Sequence, residues 1–208
     1  NETIFFAQKN IVQYIYNSAK LEGINITFDE VKGIYNKTIV KNISIYDINT
    51  IINLKHAWDF IINTLDAEDD LNYLCKIHNE VAKNEALEWG KLRAGNVGIS
   101  GTYYKPPIPT EESINGIIMT SKSYESITEK SIDIMIKLMK AQPFWDGNKR
   151  TSMMFANKEM IRNGKGVISI PEEKIIDFNR YLSDYYSNNT IEHLKDFIYK
   201  NCIDGISM

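Results

Sequence analysis

Apolar residues recur at helical spacing along most of this chain, and the recurrence predicts one helix after another. The first run, Ile4 to about Leu21, sets Ile4, Ile11, Tyr14 and Ile15 near one face, and Gly23 offers a stop. Thr27-Phe28-Asp29-Glu30 has capping-box spacing and opens a short helix toward Tyr35. Ser44 and Asp47 mark the next start. Ile48, Ile51, Leu54, Trp58 and Ile61 carry that helix to about Leu65. From Asp69 to Lys83, Leu71, Leu74, Ile77 and Val81 turn inward. Helices follow at Glu111 to Lys122 and at Thr128 to Ala141, where Pro143 ends the run. Gly147 or Asn148 starts another, which reaches Asn163 and is capped by Gly164. Pro171, at a first helical position, opens a helix to about Ser187, and Thr190 to Asn201 makes the last.

The stretch from Trp89 to Pro109 breaks this rhythm. Val97-Gly98-Ile99 and Thr102-Tyr103-Tyr104 read as short extended pieces about a glycine turn, a small β-hairpin closed off by Pro106, Pro107 and Pro109. No repeat, low-complexity linker or composition shift demands a domain boundary. The expected architecture is all-α, one helical domain with one small hairpin.

Composition narrows the picture modestly. A chain of 208 residues suits one good-sized domain, or one with an appendage. A formal net charge of -3 argues against a general nucleic-acid binder. The two cysteines, Cys75 and Cys202, lie far apart and form no zinc pattern, so they read as inert thiols of a cytoplasmic protein. No signal peptide and no apolar run of membrane length stands out; Ile114 to Met119 is far too short. The first residue is Asn rather than Met, as expected of a processed or trimmed chain. Self-association stays open.

The densest chemistry lies in Gln142-Pro143-Phe144-Trp145-Asp146-Gly147-Asn148-Lys149-Arg150-Thr151, between two of the expected helices. A helix start offers free backbone N–H groups and partial positive charge. Gly147 lets backbone approach a ligand, Asp146 is a hard oxygen donor suited to Mg²⁺, and Lys149 and Arg150 suit phosphate oxygens. An ordinary capped turn fits the same spacing, since Asp-Gly favours turns and Asp favours N-caps.

The run resembles the signature of the Fic (Fido) family, H-x-F-x-[D/E]-G-N-x-R-x-x-R. Phe144, Asp146, Gly147, Asn148 and Arg150 match; Gln142 stands where the family has its histidine, and Met153 where it has its last arginine. The resemblance implies a helical fold with a β-hairpin flap near the active loop. It also implies transfer of part of a nucleoside triphosphate, most often AMP, to a protein hydroxyl, with ATP and Mg²⁺ as cofactors. By position, Asp146 would hold the metal; Gly147, Asn148, Lys149 and Arg150 would form the nucleotide site; position 142 would be the general base; and Phe144 would anchor the loop. Gly98, Ile99, Thr102 and Tyr103 fall on the flap, which in the family holds an extended target segment by strand addition. Ser18-Ala19-Lys20-Leu21-Glu22-Gly23 matches the family's inhibitory pattern [S/T]-x-x-x-E-[G/N]. Residues 1–35 would then be an inhibitory region packed on a core of residues 36–208. Its Glu22 would compete with the γ-phosphate for Arg150 or Lys149, the usual arginine partner being absent.

The departures leave three readings. An amide does not take a proton at neutral pH, and losing a general base costs roughly 10²–10⁴-fold. Gln142 therefore points to an adenylyltransferase that is weak, or to a catalytically silent nucleotide-binding or interaction module. Lys149 resembles the N-K-R signature of the death-on-curing branch, which phosphorylates its target, and so implies a kinase-like alternative. His56, His78 and His193 read as structural or surface histidines, Arg93 as a solvated charge rather than a contact to a target or phosphate, and Asn157 as a residue behind the site facing base or ribose.

Overall fold

Nine α-helices run through the described residues in chain order: α1 (Glu2–Leu21), α2 (Phe28–Tyr35), α3 (Ile45–Asn63), α4 (Leu71–Val81), α5 (Glu111–Ser121), α6 (Ile127–Ala141), α7 (Asn148–Arg162), α8 (Ile175–Asn188) and α9 (Glu192–Asn201). These come from a computed structural model that describes residues 2–205. Their starts are set by local chemistry. Thr27 and Thr110 close reciprocal capping boxes, and Ser44, Asp70 and Ser126 each accept an N–H from the first turn that follows.

Helix α7 lies in the middle, against α1, α3, α4 and α6. Nearly every residue on it is buried, polar ones included. One apolar cluster gathers Ile15, Leu54, Trp58, Ile77 and Phe155 on the side of α1, α3 and α4; a second gathers Met135, Met153, Phe178 and Leu194 on the side of α6, α8 and α9. Full burial of each such side chain contributes roughly 1.5–3 kcal/mol. Buried charges on α7 are paired: Lys158 Nζ lies 2.6 Å from Asp69 Oδ1, and Glu159 meets Lys130 at 3.1 Å.

The all-α class holds, with one small two-stranded element. That element is β1 (Val167–Ile168) paired antiparallel with β2 (Ile203–Asp204), in register Val167 to Asp204 and Ile168 to Ile203. The hairpin expected at 97–104 is instead a turn. The Thr102 N–H reaches Ile99 O at 3.4 Å and Gly101 takes φ +79°, but no ladder follows. The two arms are too short and glycine-rich to pair without a neighbouring strand. The loop is held by packing: the Tyr104 ring stacks on Tyr186 at 5.9 Å.

Pro171 precedes a single 3₁₀ turn, Glu172–Lys174, rather than opening α8 itself. Asn157 does not face a ligand either. Its amide exchanges two hydrogen bonds with the Ile168 backbone, at 2.8 and 2.6 Å, and so pins β1 to α7. Among the described residues both cysteines are free and no helix is long and apolar enough to cross a membrane.

Candidate active site

The bend from Gln142 to Gly147 joins the end of α6 to the start of α7. Two left-handed residues make it possible, Gln142 at φ 47° and Gly147 at φ 71°. Helix α6 leaves its last carbonyls to be satisfied, and the chain does so with side chains. Gln142 Nε2 donates back to Met139 O at 2.7 Å. Arg93 donates through Nε to Gln142 O, through Nη1 to Gly95 O and through Nη2 to Pro107 O, each at 2.6 Å. Arg93 is thus not a solvated charge. It is buried, forms no ion pair among the described residues, and places its cation at the negative end of the α6 dipole. Because Gly95 and Pro107 flank the 97–104 loop, the same guanidinium ties that loop to the bend.

The bend closes on Asn148. Its Oδ1 accepts the Phe144 N–H at 2.8 Å, while Nδ2 donates to Phe144 O at 2.9 Å and to Gln142 Oε1 at 3.1 Å. The Phe144 ring is buried against His78, with centroids 3.8 Å apart and planes within 6°. His78 Nδ1 accepts the Gly90 N–H at 2.9 Å, so its proton sits on Nε2, which donates to Asp146 O at 2.9 Å. Burial pushes this imidazole down to about 4, so it stays neutral and structural.

Helix α7 begins with no side-chain cap. Asp146 Oδ1 takes the Gly147 N–H at 2.6 Å, and the first intrahelical bond runs from Thr151 N–H to Gly147 O at 2.9 Å. The N–H groups of Asn148, Lys149 and Arg150 therefore form the open positive end of the helix. A Cβ on Gly147 would come within 3.2 Å of Val81 Cγ1, so any other residue would push Val81 aside as well as strain the left-handed backbone.

Arg150 is the electrostatic centre. It is 3% exposed and faces three carboxylates: Glu85 at 2.7 Å, Glu22 at 3.7 Å and Asp146 at 3.8 Å. Burial alone would lower its pKa, but Glu22, Glu85 and Asp146 outweigh that and raise it. Beside it lies a cavity of about 240 Å³ lined by Glu22, Gly23, Tyr46, Thr50, Asp146 and Arg150. That is below the roughly 300–1,000 Å³ of ordinary small-molecule sites, and Glu22 stands at its edge.

Glu22 reaches Arg150 because α1 ends in a Schellman motif. The Ile24 N–H bonds Ala19 O and the Gly23 N–H bonds Lys20 O, both at 3.0 Å, with Gly23 at φ 79°. The Glu22 N–H donates to Ser18 O at 3.1 Å. Ser18, Glu22 and Gly23 thus share the end of α1, which packs against α7. The partner of Glu22 is Arg150; Lys149 makes no ion pair among the described residues. Met153, one turn beyond Arg150, is buried in the second apolar cluster together with Leu21.

A magnesium ion fits this loop only as a companion of phosphate. Among the described residues no group of three or more His, Cys, Asp or Glu could cage a cation. Asp146, with its side chain 48% exposed, offers one carboxylate, and Mg²⁺ characteristically binds one or two carboxylates while sharing phosphate oxygens and waters.

Of the residues singled out in the sequence, Gln142 and Asp146 to Arg150 form one bend, and Glu22 and Gly23 reach it across the fold. Gly98, Ile99, Thr102 and Tyr103 do not line the cavity, and Tyr103 is fully exposed. Glu85, His78 and Arg93 hold the bend together: the sequence singles out nothing at Glu85, and there His78 reads only as structural or surface and Arg93 as a solvated charge. Glu85 lies in an irregular stretch with no periodic signal, and the other two gain their roles only through tertiary contacts.

Fold and bend together define an all-helical domain built around a charged loop at the start of a buried helix. Residues 68–160 match the family model described as Fic/DOC family. The protein adenylyltransferase Fic of Nematostella vectensis is 27% identical over 180 residues, covering 82% of this chain and 42% of the relative. The corresponding protein of Culex quinquefasciatus is 29% identical over 182 residues, covering 82% and 36%. Among solved structures, Fic-1 of Caenorhabditis elegans aligns with a TM-score of 0.74 at 21% identity, over 91% of this chain and 58% of that one. A Fic family protein of Desulfovibrio desulfuricans aligns with a TM-score of 0.76 at 16% identity, over 93% and 62%. The match to the family model spans residues 68–160, and the fold is that of the solved Fic proteins. It spans about two-fifths of the length of the curated relatives it matches.

Proposed function

We propose that the protein binds ATP with Mg²⁺ at the start of α7 and transfers AMP to a hydroxyl of another protein, at a rate held down by Gln142 and by Glu22. The observation that carries this reading is Arg150. A buried guanidinium beside an open helix N-terminus and a cavity is an anion site, and here it is shared among carboxylates. The name carried by the relatives, protein adenylyltransferase, supports the choice of reaction.

In this reading the triphosphate takes the N–H groups of Asn148, Lys149 and Arg150, with the Arg150 edge that now faces Glu22. The Lys149 ammonium adds a further charge. Asp146 would hold magnesium together with the phosphates, and the ion would supply charge neutralisation. Asn148 keeps the bend rigid, so the site is organised before the ligand arrives. The acceptor hydroxyl bonds to the α-phosphorus as the bond to pyrophosphate breaks, and its proton must leave. Gln142, an amide, does not take the proton, so the proton goes to phosphate or water. Residues 1–35 act as the brake: Glu22 holds the arginine edge that phosphate needs. An extended target segment docks on the loop carrying Gly98, Ile99, Thr102 and Tyr103, which Arg93 tethers to the bend.

One observation favours a silent nucleotide-binding module. Both ends of the Gln142 amide are engaged, by Met139 O and by Asn148 Nδ2, so the residue serves the bend rather than a substrate. Labelled ATP separates the readings. With label on the α-phosphate, Gln142→His combined with Glu22→Gly should mark lysate proteins strongly and the native sequence faintly. Label arriving only from the γ-phosphate would identify phosphate transfer instead. No α-label from the double variant would leave the silent module.

A further inference from the structure

The guanidinium of Arg150 is divided unequally between two glutamates. Glu85 Oε2 lies 2.7 Å from Nη1, a full hydrogen-bonded ion pair, and the Glu85 side chain is 0% exposed. Its other oxygen, Oε1, accepts from Asn53 Nδ2 at 2.7 Å, and the same amide donates to Lys83 O at 2.8 Å. Glu85 is therefore bolted to α3 and has no room to leave. Glu22 is held differently. Its Oε1 stands 3.7 Å from Arg150 Nε, outside hydrogen-bond range, and that buried Nε has no hydrogen-bond partner among the described residues. The Glu22 side chain is 23% exposed and lines the cavity.

We propose that Glu85 is a positioning residue which, by taking the Nη1 edge of Arg150, keeps the Glu22–Arg150 contact loose enough for a triphosphate to displace. The proposal rests on the reading of Glu22 as a brake. Its physical basis is competition. A buried arginine with no tight counter-ion draws the nearest carboxylate into a hydrogen-bonded pair, because leaving that charge alone is costly. With Glu85 in place the demand for a hydrogen-bonded counter-ion is already met, and Glu22 contributes an electrostatic contact without a hydrogen bond. Glu85 also fixes which edge of the guanidinium stays available: Nη1 is committed, whereas Nε and Nη2 face Glu22 and Asp146. Without Glu85, Glu22 becomes the principal partner and the site closes more firmly.

The test is a double-variant cycle on MgATP affinity, read by calorimetry, with hydrogen exchange of the Glu22, Gly23 and Ile24 amides as a second readout that needs no nucleotide. Glu85→Gln keeps an acceptor for Nη1 and removes the charge. It should weaken MgATP binding by roughly 3- to 10-fold and slow exchange at the end of α1. In a Glu22→Gly background the same substitution should leave affinity unchanged. Should Glu85→Gln not fold, Glu85→Asp, which keeps the charge but withdraws the carboxylate from Arg150 Nη1, carries the test in the same direction. Tighter or unchanged MgATP binding in the Glu85→Gln variant would overturn the proposal. An equal loss in both backgrounds would do so too, because Glu85 would then act without reference to Glu22. If Glu22→Gly alone leaves affinity unaltered, the brake itself fails. Slower exchange at α1 in Glu85→Gln would still support the competition, and unaltered exchange would end it.

Discussion

Arg93 and Gly147 show how single residues hold the bend open. Arg93 gathers backbone carbonyls from the end of α6 and from both flanks of the 97–104 loop, so its loss strips several buried acceptors at once. Arg93→Met should therefore destabilise the fold by about 3 kcal/mol or more, read as a lower urea midpoint. A change below about 1 kcal/mol would mean that those carbonyls find water easily. Gly147→Ala combines a left-handed backbone with a 3.2 Å approach to Val81 and should cost about 1–2 kcal/mol. It should also weaken MgATP binding, because α7 must start elsewhere; unchanged affinity would separate the helix start from the nucleotide. Gln142→His, with Glu22 removed, should raise α-label transfer by roughly 10²–10⁴-fold.

At the level of elements, the end of α1 is, in the proposed reading, the part that governs availability of the site. Gly23 has open space around its missing Cβ, so Gly23→Ala introduces only backbone strain, about 1 kcal/mol, and loosens the Schellman turn that aims Glu22. Tighter MgATP binding in that variant is expected, and weaker binding would contradict the brake. The helices themselves were legible in the sequence because caps and periodicity are local: Thr27 with Glu30, Ser44 with Asp47 and Gly23 after Leu21 all act within one turn. So was the bend, whose residues are contiguous. The rest was not. Arg150 meets Glu85 across 65 positions and His78 meets Asp146 across 68, and no local spacing announces such pairs. The strand pair joins residues 167–168 to residues 203–204, too short and too distant to leave a pattern. The hairpin at 97–104 failed for the converse reason, since its alternation and glycines were local but no neighbouring strand completed it.

At the scale of the molecule, the site is welded to the core through α7, and stability and site share residues. His78 enters the folded state neutral, its pKa pushed from 6.5 to about 4 by burial. The unfolded chain takes up a proton as pH falls through 6.5, whereas the folded chain does not until near 4. This contribution to stability is thus fully present above pH 6.5 and is lost as pH falls toward 4, on the order of 3 kcal/mol. Urea midpoints at pH 7 and 4.5 should differ less for His78→Asn than for the native chain, and equal differences would contradict this assignment. The central claim is that the bend before α7 holds a triphosphate with magnesium. Calorimetric titration of MgATP into the Glu22→Gly protein and into its Asp146→Ala derivative tests it directly. The account predicts binding that needs magnesium in the first and loses that dependence in the second. Magnesium dependence that survives Asp146→Ala, or no binding to either protein, would contradict it.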